Sequence, residues 1–205
     1  MTLGFADLVT RIARDAGNRD RYVVGLAGPP GCGKSTLAGR LAAAVGGAVV
    51  PMDGFHLDNS ELDQLGLRGV KGAPETFDAD GFVRLVGRLR RADGVVSAPS
   101  FDRIADRAIN ASITIEPADR IVIVEGNYLL LESAPWGELR DLFDLTGYID
   151  VDAEVRVARL VERHVRHGRS PDEAGEFVRR SDEANAAIIE RTRQRADLMI
   201  DPSLP

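Results

Sequence analysis

Residues 28–36 read Gly28-Pro29-Pro30-Gly31-Cys32-Gly33-Lys34-Ser35-Thr36, and glycines, a lysine and paired hydroxyls at this spacing suit one task, the wrapping of a polyphosphate. The glycines let successive backbone N–H groups curl around the anion, and the N-terminus of a following helix adds its partial positive charge. Lys34 would reach the β- and γ-phosphates, Ser35 would ligate Mg²⁺, and Thr36 would contact the α-phosphate side. Cys32 occupies a variable position, as a small packing residue or as a thiol sensitised by the helix terminus.

Further acids and bases stand where apolar runs end. Glu125 directly follows Ile121-Val122-Ile123-Val124, where a carboxylate can hold Mg²⁺ through water or orient a nucleophile. Asp53, after Val49-Val50-Pro51-Met52, is the candidate for accepting a proton from an acceptor hydroxyl, although an aspartate before Gly54 also makes a good turn. His56 is open between a substrate contact and an exposed loop residue. Lys71, Phe101, Arg103 and Tyr128 complete the candidate substrate contacts. Arg156, Arg159, Arg163 and Arg166 recur at three- and four-residue spacing, beside an apolar stripe of Val157, Leu160, Val161 and Val165, and Arg169 follows. Such a row is either a solvated helix face or a lid whose guanidiniums close on phosphates.

The elements that must position these residues alternate. Periodicity predicts a helix near 3–16, a strand near 21–27, a helix to about 45, a strand at 48–52, a long irregular stretch over 53–77, a helix at 79–91 and a short strand at 95–98. An irregular segment holding Phe101-Asp102-Arg103 precedes a short strand at 113–116 and a central strand at 121–124. A strand at 145–151, helices over 153–167 and 171–193, and a closing strand at 196–200 complete the chain. The pattern implies an α/β fold with a mostly parallel sheet, helices on both faces and a ligand crevice at the strands' carboxyl ends. One domain over 1–205 accommodates it, with a lid at about 156–175.

Composition narrows the partners. Acidic residues outnumber basic ones by 32 to 26, which argues against a nucleic-acid backbone. One cysteine allows no internal disulfide, and with three scattered histidines a structural zinc site is not expected. The start has no basic signal-like region and no apolar run approaches the roughly 20 residues of a membrane span, so no membrane partner and a cytoplasmic location are expected. A homo-oligomer is left open. Trp136 after Pro135 reads as a packing residue.

Taken together, the phosphate loop, Met52-Asp53-Gly54-Phe55-His56, Lys71-Gly72-Ala73-Pro74-Glu75-Thr76-Phe77-Asp78, the Ile-Val-Ile-Val-Glu-Gly segment and the arginine row resemble the P-loop kinases of the uridine kinase, phosphoribulokinase and bacterial pantothenate kinase family. In order and length the chain is most similar to bacterial fructose transport system kinases. The resemblance covers about residues 20–201 and implies a phosphotransferase using ATP and Mg²⁺ on a small hydroxyl-bearing metabolite. It implies Asp53 as base, Lys34 and Ser35 serving ATP and Mg²⁺, Arg163, Arg166 and Arg169 in the lid, and Arg191 to Asp197 bordering the adenine. The acceptor is expected to be a sugar such as fructose; a nucleoside, a pantothenate-like acid, or a regulatory ATPase module without acceptor are the alternatives. The uridine kinase pattern after the third strand is not reproduced by Phe101-Asp102-Arg103 and Asp106-Arg107, whereas Arg68 and Lys71 would suit an anionic acceptor.

Overall fold

In the computed structural model, which describes residues 2–204, strand β1 (Thr2–Leu3) and helix α1 (Phe5–Ala16) are followed by β2 (Tyr22–Ala27), α2 (Lys34–Val45) and β3 (Ala48–Pro51). A 3₁₀ turn (Met52–Phe55), α3 (Asn59–Leu65) and two more 3₁₀ turns (Arg68–Val70, Pro74–Thr76) lead to α4 (Ala79–Arg91). Next come β4 (Val96–Asp102), β5 (Arg107–Ile115), β6 (Ile121–Gly126), a 3₁₀ segment (Trp136–Leu142) and β7 (Leu145–Ile149). The chain continues through α5 (Ala153–Arg166), α6 (Pro171–Phe177), a π-helical turn (Val178–Asp182), α7 (Glu183–Glu190), a 3₁₀ turn (Arg193–Arg195) and β8 (Leu198–Ile200).

Six strands form one sheet in the order β1-β8-β7-β2-β6-β3, each neighbouring pair parallel. The central strands β2 and β6 are buried at every residue, as apolar runs covered on both faces must be. Their side chains alternate between two cores. Val23, Val122 and Val124 join Phe82, Val86 and Leu89 of α4 and the indole of Trp136 on one face. Val24, Leu26 and Ile123 join Leu8 and Ile12 of α1 and Leu37 and Leu41 of α2 on the other. The carboxyl ends of β2, β3 and β6 therefore deliver the phosphate loop, Asp53 and Glu125 to one rim.

Several elements differ from the periodicity reading, each for a physical reason. Gly4 separates a two-residue edge strand, paired with β8, from α1, so the opening helix does not begin at residue 3. The long stretch after β3 contains α3 and three 3₁₀ turns that its Gly and Asp content hides. The segment holding Phe101-Asp102-Arg103 and the short strand at 113–116 are one antiparallel hairpin, β4–β5, separate from the six-stranded sheet. Its turn is fastened by Asp102, whose Oδ1 accepts from the Ile104 and Ala105 N–H groups. The helix expected over 171–193 is interrupted by the π-helical turn.

Candidate active site

The phosphate loop joins β2 to α2, and its conformation is one that few residues other than glycine adopt. Gly31 and Gly33 have φ of +79° and +93°, and a Cβ on Gly31 would lie 2.7 Å from the Arg156 carbonyl oxygen, so a side chain there is excluded twice over. Lys34 opens α2, and its ammonium donates to the carbonyls of Gly28 at 2.9 Å and Pro29 at 3.1 Å. Cys32 is buried beneath the loop, its Sγ 3.9 Å from Lys34 Nζ. Pro30, Gly31, Gly33, Lys34, Ser35 and Thr36 line a cleft of about 750 Å³. Pro29 faces a smaller cavity of about 270 Å³ beside Tyr148, Glu190 and Arg193.

Glu125 meets the loop from β6. Ser35 Oγ donates to its Oε1 at 2.7 Å. Burial, then the charge of Asp53, raises the Glu125 pKa, while Lys34 and the Ser35 hydrogen bond pull the other way. A buried carboxylate with one hydroxyl partner is short of positive charge. Mg²⁺ with nucleotide phosphates would supply it, and Ser35 with Glu125 is an oxygen donor pair that fits. Among the described residues no group of three or more His, Cys, Asp or Glu could hold a metal, so phosphate oxygens would have to complete the shell.

Asp53 sits in the 3₁₀ turn after β3, where its Oδ2 accepts from Arg103 Nη2 at 2.6 Å. Gly54 makes this meeting possible: a Cβ there would collide with the Pro99 carbonyl, so β4 packs directly on the turn and carries Arg103 across the cleft. His56, Phe77 and Phe101 form an aromatic wall, with ring centroids 4.0 Å (His56–Phe77) and 4.8 Å (His56–Phe101) apart. Lys71 is fully engaged, donating to Asn59 Oδ1, Asp106 O and Asp106 Oδ1 at 2.7, 3.1 and 2.8 Å. Arg68 has only Asp63 near it, at 3.9 Å.

His56 is no exposed loop residue: it lines the cleft, and its Nδ1 is buried without a partner among the described residues. Burial foremost lowers its pKa from 6.5 to about 4; the charges of Asp53 and Asp106 oppose this, and those of Lys71 and Arg103 reinforce it. A histidine whose folded pKa lies below its unfolded one gives stability that is complete above the unfolded value and is lost as pH falls toward the folded value. The expected result is a loss on the order of 3 kcal/mol between pH 6.5 and 4 beyond that of His56→Gln. Urea midpoints of the two proteins across that range measure it; parallel curves would show that His56 does not titrate this way.

The arginine row divides. Arg159, Arg163 and Arg169 line the cleft, Arg163 lying 3.9 Å from Asp182 and Arg169 stacking at 4.2 Å on Phe177. Arg166 points outward to Glu162 at 2.7 Å, both side chains exposed, so it is not brought to the site. Arg156 is fully buried and donates to Pro30 O at 3.2 Å and Glu183 Oε1 at 3.1 Å, with Glu190 at 3.7 Å. The buried line of α5 is therefore Arg156 and Leu160, while Val165 is exposed. Arg156 ties α5, α7 and the phosphate loop together. Arg156→Met is expected to destabilise the protein by about 2 kcal/mol, less than the usual cost of breaking a fully buried pair because both glutamates stay near water. It should also weaken ADP binding, and denaturation with calorimetry checks both effects.

Tyr128 does not reach the cleft. It is fully buried, and its hydroxyl donates to the Gly72 carbonyl, fixing the loop instead. Much of the Lys71–Asp78 segment is scaffold in the same way: Thr76 Oγ1 bonds Gly72 N and Ala73 O, and Asp78 caps α4 through Gly81 N. Conversely, the cleft contains His164, Asp182 and Asn185, which periodicity did not single out. His164 Nε2 lies 2.8 Å from Asp182 Oδ2. The one available signal, polar residues on the inner side of an apolar helix, is too common to have marked them.

A family model described as "Phosphoribulokinase / Uridine kinase family" matches residues 23–204. The chain is 42% identical to a solved "putative fructose transport system kinase" from Silicibacter sp. TM1040, with a TM-score of 0.90 over 96% of this chain and 98% of that one. It is 37% identical to a "Putative uridine kinase" of Schizosaccharomyces pombe, over 96% of this chain and 89% of the relative. A "Pantothenate kinase" of Limosilactobacillus reuteri is 32% identical over 65% of this chain and 46% of its own length.

Proposed function

The chain belongs to the phosphoribulokinase and uridine kinase family, whose members are ATP-dependent kinases of small molecules, and from that premise we propose that it transfers the γ-phosphoryl group of Mg·ATP to a hydroxyl of a neutral metabolite, a sugar such as fructose. The observation that carries this reading is Asp53 beside Arg103 on the rim that also holds Ser35 and Glu125. An aimed carboxylate opposite the phosphate loop is what an acceptor hydroxyl needs and a nucleotide switch does not.

In this reading the loop N–H groups and Lys34 hold the β- and γ-phosphates. Ser35 and Glu125 would hold Mg²⁺, which would supply positive charge against that developing on the phosphates. Asp53 orients the acceptor oxygen and takes its proton as the bond to phosphorus forms. Arg159, Arg163 and Arg169, as a lid, stabilise charge on the transferring group, and the closed arrangement excludes water that would otherwise hydrolyse ATP. Lys71 and Arg103 are already neutralised by Asp106 and Asp53, which favours a neutral compound over a pantothenate-like acid, with the exposed Arg68, 3.9 Å from Asp63, as the one cation of the loop without a hydrogen-bonded acid among the described residues.

The test is coupled ADP release with Mg·ATP across sugars, nucleosides, pantothenate and vitamin-like alcohols. Acceleration by a neutral hydroxyl compound supports the reading. Acceleration by pantothenate alone would replace its acceptor, and uniform slow hydrolysis would favour a nucleotide-driven regulatory module.

A further inference from the structure

Asn185 is only 7% exposed, yet it lines the cleft. Among the described residues its side-chain amide has no hydrogen-bond partner, whereas the neighbouring Asp182 and Glu183 carboxylates do. Its amide atoms are not sealed in the core like His56 Nδ1, so they are open to whatever occupies the cleft, water or a ligand. Asp182, three residues earlier and 8% exposed, presents a similar vacancy. Its Oδ2 is taken by His164, while its Oδ1 has Arg163 at 3.9 Å, beyond hydrogen-bond range.

The backbone explains why both groups face the cleft. Asp182 ends the π-helical turn that breaks the run from α6 to α7. Such a turn shifts the register of every later side chain, and it is frequent at functional sites. Residues three apart on the helical run that follows are neighbours on one face. The opposite wall is close: a Cβ on Gly72 would lie 3.6 Å from Asn185 Nδ2.

We propose that Asp182 and Asn185 are the acceptor-selecting pair of this cleft, recognising a neutral polyol through a hydroxyl that donates to Asp182 Oδ1 and an adjacent one that bonds the Asn185 amide. This rests on the kinase reading above and names its acceptor class. An amide satisfies hydroxyls as both donor and acceptor. The Asp182 carboxylate offers Oδ1 as an acceptor not hydrogen-bonded by Arg163, which suits a hydroxyl donor and not a phosphate or carboxylate ligand. The aromatic faces of His56 and Phe101 provide an apolar surface for the C–H side of a sugar ring.

The experiment is saturation-transfer NMR and calorimetry with D-fructose and D-ribose as probes, and pantothenate and fructose 1-phosphate as anionic counter-probes. Each is added to protein holding Mg²⁺ and a non-hydrolysable ATP analogue. Wild type is expected to bind a neutral sugar in preference to either anion. Asn185→Leu should weaken that binding about tenfold or more, with ADP affinity unchanged as the control for folding. Asn185→Ser, smaller and still polar, should fall between them, and it serves alone if the leucine variant does not fold. Tighter binding of an anion, absence of neutral-sugar binding in wild type, or equal sugar affinity in the variant would overturn the proposal. Sugar binding that depends on Asn185 without accelerated ADP release would uphold this pair and sink the kinase reading. A non-sugar acceptor whose KM ignores Asn185 would do the reverse.

Discussion

Asp53→Asn is expected to keep ADP affinity within about twofold and to lower acceptor-dependent turnover by about 10²-fold or more, the usual scale for a positioned general base. The substitution preserves size and can still accept a hydrogen bond from Arg103, which reaches Asp53 at 2.6 Å. What it removes is the negative charge that draws a proton from the acceptor hydroxyl. It also frees Arg103 from its ion pair, so the acceptor KM should change as well as kcat. Because phosphoryl transfer passes through a loose transition state, the proton is needed late, and orientation of the oxygen accounts for part of the loss. Coupled ADP release under saturating acceptor measures it. Normal turnover in the variant would remove Asp53 from the base role and leave the carboxylate as the anchor of Arg103.

Lys34→Ala is expected to weaken Mg·ATP binding by about tenfold or more and turnover by a larger factor. A charge-assisted contact to phosphate is lost in the ground state and a stronger one in the transition state. In the structure the ammonium bonds the Gly28 and Pro29 carbonyls, so it also closes the loop on itself. Calorimetry separates the two contributions: a loosened loop would lower affinity for ADP and ATP alike, whereas loss of the γ-phosphate contact would affect ATP more. Unchanged ATP affinity would contradict the assignment of the loop.

How far these residues could be read from the chain depends on the kind of constraint they obey. Gly31, Gly33, Lys34 and Ser35 answer to local backbone geometry, which requires particular residues at fixed offsets, and so they are visible without a fold. Asp53 and Glu125 are visible because strand ends in a parallel sheet converge on one rim. The arginine row was only half legible. Its spacing relates Arg156, Arg159, Arg163 and Arg166 to one another, but nothing local sets the rotation of α5 against the phosphate loop, and that rotation buries Arg156 and turns Arg166 outward. Asp182 and Asn185 are hidden more deeply, because the π-helical turn displaces them from the 3.6-residue repeat by which helices are read. The hairpin escaped because Asn110-Ala111-Ser112 interrupts the alternation expected of β5, with Ala111 at a positive φ of 50°.

The hairpin β4–β5 shares no ladder with the six parallel strands, yet it brings Phe101, Arg103 and Asp106 to the acceptor side of the cleft. Under the proposed reading, the residues that fire the phosphoryl group and some of those that choose its destination are therefore carried on separable stretches of chain. A lineage can rewrite the Arg103–Asp106 tip and change its metabolite without disturbing the frame that makes it a kinase. Near-identical frames are then poor witnesses to a shared substrate.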